Sequence, residues 1–331
     1  MQPERPLLTI AIPTYNRSSY LTQLLNALVP QLTDELRVEL IISDNASPDN
    51  TPEVVGRFYA RFPNLVYLRN ETNIGPDANF LQCFERAKGK YVWIFGDDDV
   101  LEPHGLETVL SHLHSDEYDL IYVKSSGFTG GYTPSSRTSS RRISVFNRAQ
   151  DLACQVHVFF TFISGNILNK DRITSVPHRP FNELIGTNLA QLGWTYTALE
   201  HHRRSLIIHD PLVATLSDNT GGYALFKIFG SDLKRITDEW LTSAQVKRTI
   251  IRGSLQRFLP FFLLRQKSGS AGFSREDPNE ALKPSFGDDP RYWIFDFPIM
   301  RLPAEVAKLW FWLVRIVNVA DKLIGNPLLR F

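Results

Sequence analysis

Five short apolar runs in the first 124 residues, separated by helix-like segments, most constrain what this chain can fold into. Leu7–Ile12, Val38–Ser43, Leu65–Arg69, Tyr91–Phe95 and Leu120–Lys124 are rich in β-branched and aromatic residues and too short for buried helices, so they read as strands. A helix opens at Ser18 with Leu21, Leu24, Leu25 and Leu28 on one face. Further helices are expected over Pro52–Phe62, over Pro76–Ala87 and from Pro103 to about His114, each with Pro in its first turn. Such alternation predicts an α/β fold with a mostly parallel sheet flanked by helices. Ligands of such sheets sit beyond the carboxyl ends of the strands.

Polar strings stand at those ends. The first strand runs into Pro13-Thr14-Tyr15-Asn16-Arg17. There Tyr15 can stack on a nucleobase, Asn16 can bond a ribose or base, and Arg17 can reach phosphate; a strand-to-helix turn is the other reading. The second ends in Ser43-Asp44-Asn45-Ala46-Ser47, where Asp44 either accepts from a base N–H or helps to make a turn. Asn73-Ile74-Gly75-Pro76-Asp77-Ala78-Asn79 shapes a loop and opens a helix, with Asp77 and Asn79 either turned to a ligand or serving as turn and cap. The fourth strand ends in Gly96-Asp97-Asp98-Asp99. Adjacent carboxylates repel one another, so three together call for a cation unless they form a solvated turn. Mg²⁺ or Mn²⁺ suits oxygen ligands of this kind, with one or two carboxylates and substrate phosphates completing the shell.

Ser125–Arg142 is small, polar and basic, and reads as a flexible loop or as a lid bringing Arg137, Arg141 and Arg142 to an anionic substrate. A helix is expected around Arg148–Val156, extended chain over Phe160–Leu168, a helix over Phe181–Leu192, and extended chain over Trp194–Leu199 and Ser205–His209. Beyond Gly230 the chain reads as helices, with a Gly/Ser/Pro-rich break at Lys267–Pro290. The domain expectation is a catalytic unit over 1–225 and a helical region over 226–331.

With 331 residues, one large domain or a core plus an appendage is expected. A net charge of +1 excludes a generally nucleic-acid-binding surface. Two cysteines, Cys83 and Cys154, make no disulfide framework and no Cys/His metal spacing, which suits a reducing cytoplasm. The first six residues hold no apolar signal core, and no apolar run is long enough to span a membrane.

The strings Ile12–Arg17, Ser43–Ser47, Asn73–Phe80 and Trp93–Asp99, in this order, resemble the family 2 glycosyltransferases. Ile74-Gly75-Pro76-Asp77, Trp93-Ile94-Phe95-Gly96 and, more weakly, Ile185-Gly186-Thr187 are closest in wording to O-antigen sugar transferases of the abequosyltransferase type. The resemblance implies a GT-A, Rossmann-like fold and a nucleotide-diphosphate sugar donor. It implies a nucleotide pocket lined by Pro13, Tyr15, Asn16, Arg17, Asp44, Asn73, Asp77 and Asp97, with Asp98 and Asp99 on Mg²⁺ or Mn²⁺. Gly96 stands where many members carry the first acid of the metal motif, so Asp97 and Asp99 are an alternative pair. Inverting members use a downstream carboxylate as base; the family's usual Glu-Asp pair is missing here. Glu183 is the first candidate, with Asp218 and then Asp210 as alternatives, while each of these also suits a helix start or a turn. His157, His201, His202 and His209 read as ordinary histidines. The acceptor implied is a polyprenyl-diphosphate-linked glycan of bacterial surface polysaccharide, at the cytosolic face of the inner membrane.

The tail holds Leu309-Trp310-Phe311-Trp312-Leu313-Val314 with Lys308, Arg315 and Lys322 around it, which suits either an anionic membrane interface or packing onto the protein. Two rivals remain: a sugar-1-phosphate nucleotidylyltransferase, which would want a Gly-rich basic loop where Pro13–Asn16 stands, and a non-catalytic glycan-binding module.

Overall fold

The computed structural model describes residues 5–32, 37–59, 61–62, 64–135, 140–217, 222–269 and 276–324. The chain divides into two compact units, Met1–Leu152 with Phe159–Asp218, and Ala153–Val158 with Asn219–Phe331.

The first unit opens with β1 (Leu8–Thr14), α1 (Ser18–Leu32), β2 (Val38–Asp44), α2 (Thr51–Tyr59), β3 (Leu65–Arg69), α3 (Pro76–Arg86) and β4 (Tyr91–Ile94). There follow β5 (Val100–Leu101), α4 (Gly105–Ser115), β6 (Leu120–Phe128), β7 (Ile143–Phe146), α5 (Ala149–Val156, assigned to the second unit from Ala153), β8 (Asn166–Asn169), α6 (Lys170–Thr174), α7 (Gln191–Glu200) and β9 (Ser205–Leu216). One sheet takes the order β3-β2-β1-β4-β8-β6-β9-β5, with β7 on β9. β1 pairs in parallel with β2 and β4, and β2 with β3; β8 runs antiparallel between β4 and β6. β1 and β2 are buried along their whole length, as strands covered on both faces must be. α1 lays Leu21, Leu24, Leu25, Leu28 and Leu32 into that core.

Parallel pairing brings the strand ends level. Thr14 stands opposite Asp44, and Asp44 opposite Arg69. The Phe95 N–H donates to the Ala11 carbonyl (2.8 Å), carrying the β1–β4 ladder up to the acid run.

Several expectations need correction. Trp194–Leu199 is not extended but helical, in α7, where every residue from Gln191 to Leu199 is buried. A strand-like composition is overridden here because all sides of the helix pack. Its threonines return their hydroxyls to the helix, Thr195 to the Gln191 carbonyl and Thr197 to that of Gly193, both at 2.8 Å. Phe160–Leu168 begins as two 3₁₀ turns, and Phe181–Leu192 holds only the 3₁₀ turn Phe181–Leu184 before α7. β6 extends into the expected loop, as far as Phe128; Arg137 lies outside the described residues.

The second unit has α8 (Leu233–Trp240), α9 (Ala244–Gly253), α10 (Leu259–Lys267), α11 (Pro278–Phe286), α12 (Phe297–Arg301) and α13 (Ala304–Ile324). Its core gathers Leu225, Phe226, Leu255, Leu259, Leu282, Phe286, Tyr292 and Phe311. α11 lies inside the expected break: Asp277 caps it on the N–H groups of Asn279 and Glu280, with Pro278 at its start. α13 buries Ala307, Phe311 and Val314 and turns Leu309, Trp312, Leu313 and Ile316 outward, each more than half exposed. Trp310 is not outward: its indole N–H donates to the Ile294 carbonyl (2.9 Å). Arg315 lies over the Trp312 ring at 5.1 Å. No helix among the described residues is long and apolar enough to cross a membrane.

Candidate active site

The acid run follows β4 directly, and each acid meets different company. Asp97 accepts from the Thr14 hydroxyl (2.7 Å) and from Arg17 (3.0 Å). The same Arg17 nitrogen lies 3.4 Å from Asp98. Asp99 accepts from the Ser164 hydroxyl (2.5 Å), which itself accepts from the Gly96 N–H (2.8 Å). Burial pushes Asp97 up to about 6, with Arg17 pulling down and Asp98 pushing up. Burial and the neighbouring Asp98 hold Asp99 well above the usual carboxylate range. Asp98 is the most exposed of the three, its side chain at 22% against 6% for Asp97.

Two carboxylate oxygens converge over Gly96. A Cβ there would stand 3.1 Å from Asp98 Oδ1 and 3.1 Å from Asp99 Oδ2. Ser164 Oγ lies 3.3 Å from the same point, so the cradle over Gly96 is lined by three oxygens. Among the described residues no group of three or more His, Cys, Asp or Glu side chains is placed to hold a metal ion. A Mg²⁺ site completed by substrate phosphates needs no such group.

The other motifs join this cluster in sequence. Asn16 takes a left-handed backbone (φ 55°), and its N–H donates to the Ser47 hydroxyl (2.9 Å). The Ser47 N–H donates to Asp44 (2.8 Å). Asp44 is fully buried; its second oxygen accepts from the Tyr67 hydroxyl (2.5 Å), with Arg69 at 3.4 Å. Asn45 donates to the Asn73 side chain (2.8 Å) and accepts from Asn70 and from the Ile74 N–H. Pro13 lies in β1, and Tyr15 is 44% exposed just beyond the strand end. Four strand-end strings thus form one hydrogen-bonded rim.

Asp77 belongs to a different piece of structure. Its carboxylate accepts from the N–H groups of Gly186 (2.8 Å), Asn188 (2.8 Å) and Ala190 (3.2 Å). It therefore neither caps α3 nor turns to the rim but holds the 186–190 loop, and burial raises its pKa despite those donors. Asn79 likewise bonds Ser43 rather than open space.

Glu183 is half exposed in an ion pair with Arg179 (2.5 Å), and its position is not drawn into the rim by any of these contacts. Asp218 lies outside the described residues. Asp210 takes the backbone N–H groups of Ser140 and Arg141 and the Ser140 hydroxyl. His201, His202 and His209 bond the Pro177 carbonyl, Ser205 and Ser144.

Thr14, Ser164, Tyr67 and Arg69 shape the site without having been singled out from the sequence. Tyr67 and Arg69 carry a faint signal, two alternate positions at the end of a strand next to that of Asp44. Ser164 gives none, lying 65 residues beyond its partner Asp99.

The model of the family described as Glycosyl transferase family 2 matches residues 9–173. Abequosyltransferase RfbV of Salmonella typhimurium is 45% identical over 111 residues, 33% of this chain and 33% of that protein. Poly(ribitol-phosphate) beta-N-acetylglucosaminyltransferase TarS of Staphylococcus aureus is 28% identical over 129 residues, 39% of this chain and 22% of that protein. These matched stretches therefore span a third or less of the curated relatives' own length. In structure the chain is similar to S. aureus TarS 1-349 in complex with UDP-GlcNAc, with a TM-score of 0.60, 18% identity, and 96% and 92% of the two chains covered. It is also similar to mannosyltransferase PcManGT from Pyrobaculum calidifontis in complex with GDP-Man and Mn2+, with a TM-score of 0.54, 14% identity, and 96% and 88% covered. Residues 9–173 of this chain thus form a glycosyl transferase family 2 domain, on a GT-A fold shared with TarS.

Proposed function

We propose that the protein transfers one sugar from a nucleotide-diphosphate sugar to a glycan acceptor, with inversion at the anomeric carbon. The observation that carries this reading is the clamp of the acid run onto the first motif, Asp97 on Thr14 and Arg17. It places a carboxylate cluster and a guanidinium side by side at the strand ends where a diphosphate would lie. Asp44 and Tyr15 then serve the base, and Asn16 and Asn73 the ribose side.

Asp98 and Asp99 would hold Mg²⁺ or Mn²⁺, which when bound carries charge developing on the departing diphosphate. Arg17 adds a second positive group for the phosphates. Asp97 stays with Thr14 and braces the turn. A base deprotonates the acceptor hydroxyl as its oxygen bonds to the anomeric carbon and the bond to the diphosphate breaks. Glu183 remains first candidate for that base, and Asp218 second.

The likeness to an abequosyltransferase supports a bacterial surface polysaccharide, of O-antigen type, as the destination. A polyprenyl-diphosphate-linked acceptor at the cytosolic face of the inner membrane would meet the protein at an anionic lipid surface. The outward face of α13, with Leu309, Trp312, Leu313, Ile316 and Arg315, suits that surface. Lys322 lies in the same helix, its side chain outside those described.

A panel of nucleotide sugars, tested for thermal stabilisation with and without Mn²⁺ and then for transfer, tests the reading. One donor should stabilise the protein, more so with Mn²⁺, and Asp98→Ala and Asp99→Ala should each remove most transfer while the protein stays folded. Transfer at full rate in EDTA would remove the metal; no stabilisation by any donor would remove the reading.

A further inference from the structure

Arg17, assigned above to the phosphates, is also held by two carboxylates of the acid run. It directly precedes α1, whose amino end carries the positive pole of the helix dipole, a poor place for a cation. It is not needed to cap that helix, because the Ser18 N–H already donates to Asp49 (2.8 Å). One Arg17 nitrogen instead reaches both Asp97 (3.0 Å) and Asp98 (3.4 Å) from a side chain one third exposed. Asp98 has one oxygen towards Arg17 and the other, Oδ1, over the Gly96 cradle. Arg17 and a divalent cation would therefore draw on the same carboxylate from its two sides.

Accepting the acid run as the metal site proposed above, we infer that Arg17 is the resident counter-ion of the site and makes metal binding depend on the diphosphate. Without ligand, its single charge offsets part of the negative charge on Asp97 and Asp98 and opposes a second cation beside it. A diphosphate supplies new partners for the planar guanidinium, which suits phosphate oxygens. Asp98 is then released to the metal, so that cation and nucleotide favour each other's binding. The coupling is reciprocal by thermodynamic necessity. The device keeps the acid run from being filled by a free cation before the donor arrives.

Binding of Mn²⁺ to the full chain, measured by electron paramagnetic resonance, tests this. The arms are wild type, Arg17→Gln, Arg17→Lys and Asp98→Asn, each alone and with UDP, GDP, CDP or dTDP. Wild type should bind Mn²⁺ weakly alone and about tenfold more tightly with the matching nucleotide. Arg17→Gln should bind Mn²⁺ alone about tenfold more tightly than wild type, since one opposing charge is gone. Its nucleotide effect should be smaller than that of wild type, since only direct coordination of the metal by the diphosphate remains. Arg17→Lys keeps the charge and should match wild type within about twofold for Mn²⁺ alone. A gain in metal affinity is an outcome that mere structural damage does not produce. Equal or weaker Mn²⁺ binding by Arg17→Gln overturns the inference while leaving the metal site standing. Should Arg17→Gln not fold, wild type decides: absence of any coupling between Mn²⁺ and nucleotide overturns the inference too. Mn²⁺ binding untouched by Asp98→Asn would instead overturn the metal reading on which it rests.

Discussion

Thr14 and Asp97 lie 83 positions apart in sequence, and the hydroxyl of one donates to the carboxylate of the other at 2.7 Å in the buried floor of the site. Hydrogen bonds to charged groups contribute about 1.5–3 kcal/mol, so Thr14→Val should lower stability by that amount. Urea unfolding of the metal-free protein measures it. An unchanged midpoint would detach this hydroxyl from the site's stability.

Asp77→Ala should free the 186–190 loop, leaving three backbone N–H groups without their acceptor. The expected cost is about 1–3 kcal/mol, concentrated in that loop. Faster amide exchange at Gly186, Asn188 and Ala190, with donor affinity unchanged, is the signature. A loss of donor affinity alone would return Asp77 to the nucleotide pocket.

Asp296 is wholly buried in the second unit, and neither of its oxygens meets a donor among the described residues. Burial first, and then Asp289, push its pKa well above the usual range. The folded state thus keeps a proton that the unfolded chain releases near pH 4, so stability from this group falls as pH rises above about 4. Asp296→Asn should remove that slope and stabilise the protein at pH 7 by about 1–3 kcal/mol. Thermal midpoints of both forms across pH 4–8 decide it; parallel curves would sink the idea.

Glu183→Gln should lower turnover by about two to four orders of magnitude if Glu183 is the base. Its pairing with Arg179 is a surface contact, so stability should move by less than about 1 kcal/mol. Single-turnover rates with saturating donor separate this from Asp218→Asn. Survival of transfer in the first variant and its loss in the second would move the base to Asp218.

The outward face of α13 is best tested by point changes. Removing the tail after Pro303 would also take Ala307, Phe311 and Val314 out of the second unit's core. The triple change Leu309→Ser, Trp312→Ser and Ile316→Ser leaves that core intact. It should reduce sedimentation with anionic liposomes by at least about tenfold, since burying one such side chain contributes about 1.5–3 kcal/mol. Equal sedimentation of the two forms would end the membrane reading.

The alternation and the polar strand ends were legible because both are local. Period and composition mark a strand such as Leu8–Thr14, and a parallel sheet then sends every marked end to one side. What escaped was set by distant packing. Trp194 stacks on Phe84 at 4.8 Å inside a helix buried all round, an environment with no periodic trace. Asp77 reads as the start of a helix, and only the fold reveals the loop, 109 positions later, that its carboxylate holds. Ser164 became part of the site because the chain turns twice before β8 and brings its hydroxyl under Gly96.

The rung from Phe95 to Ala11 has a further consequence. It joins the acid run to the first motif through backbone, which no side-chain change can lengthen. For a donor bound as proposed, the span between base contacts and phosphate contacts is therefore ruled off by the sheet itself. Such a ruler measures the nucleoside diphosphate, the part all these donors share, and is blind to the sugar beyond it.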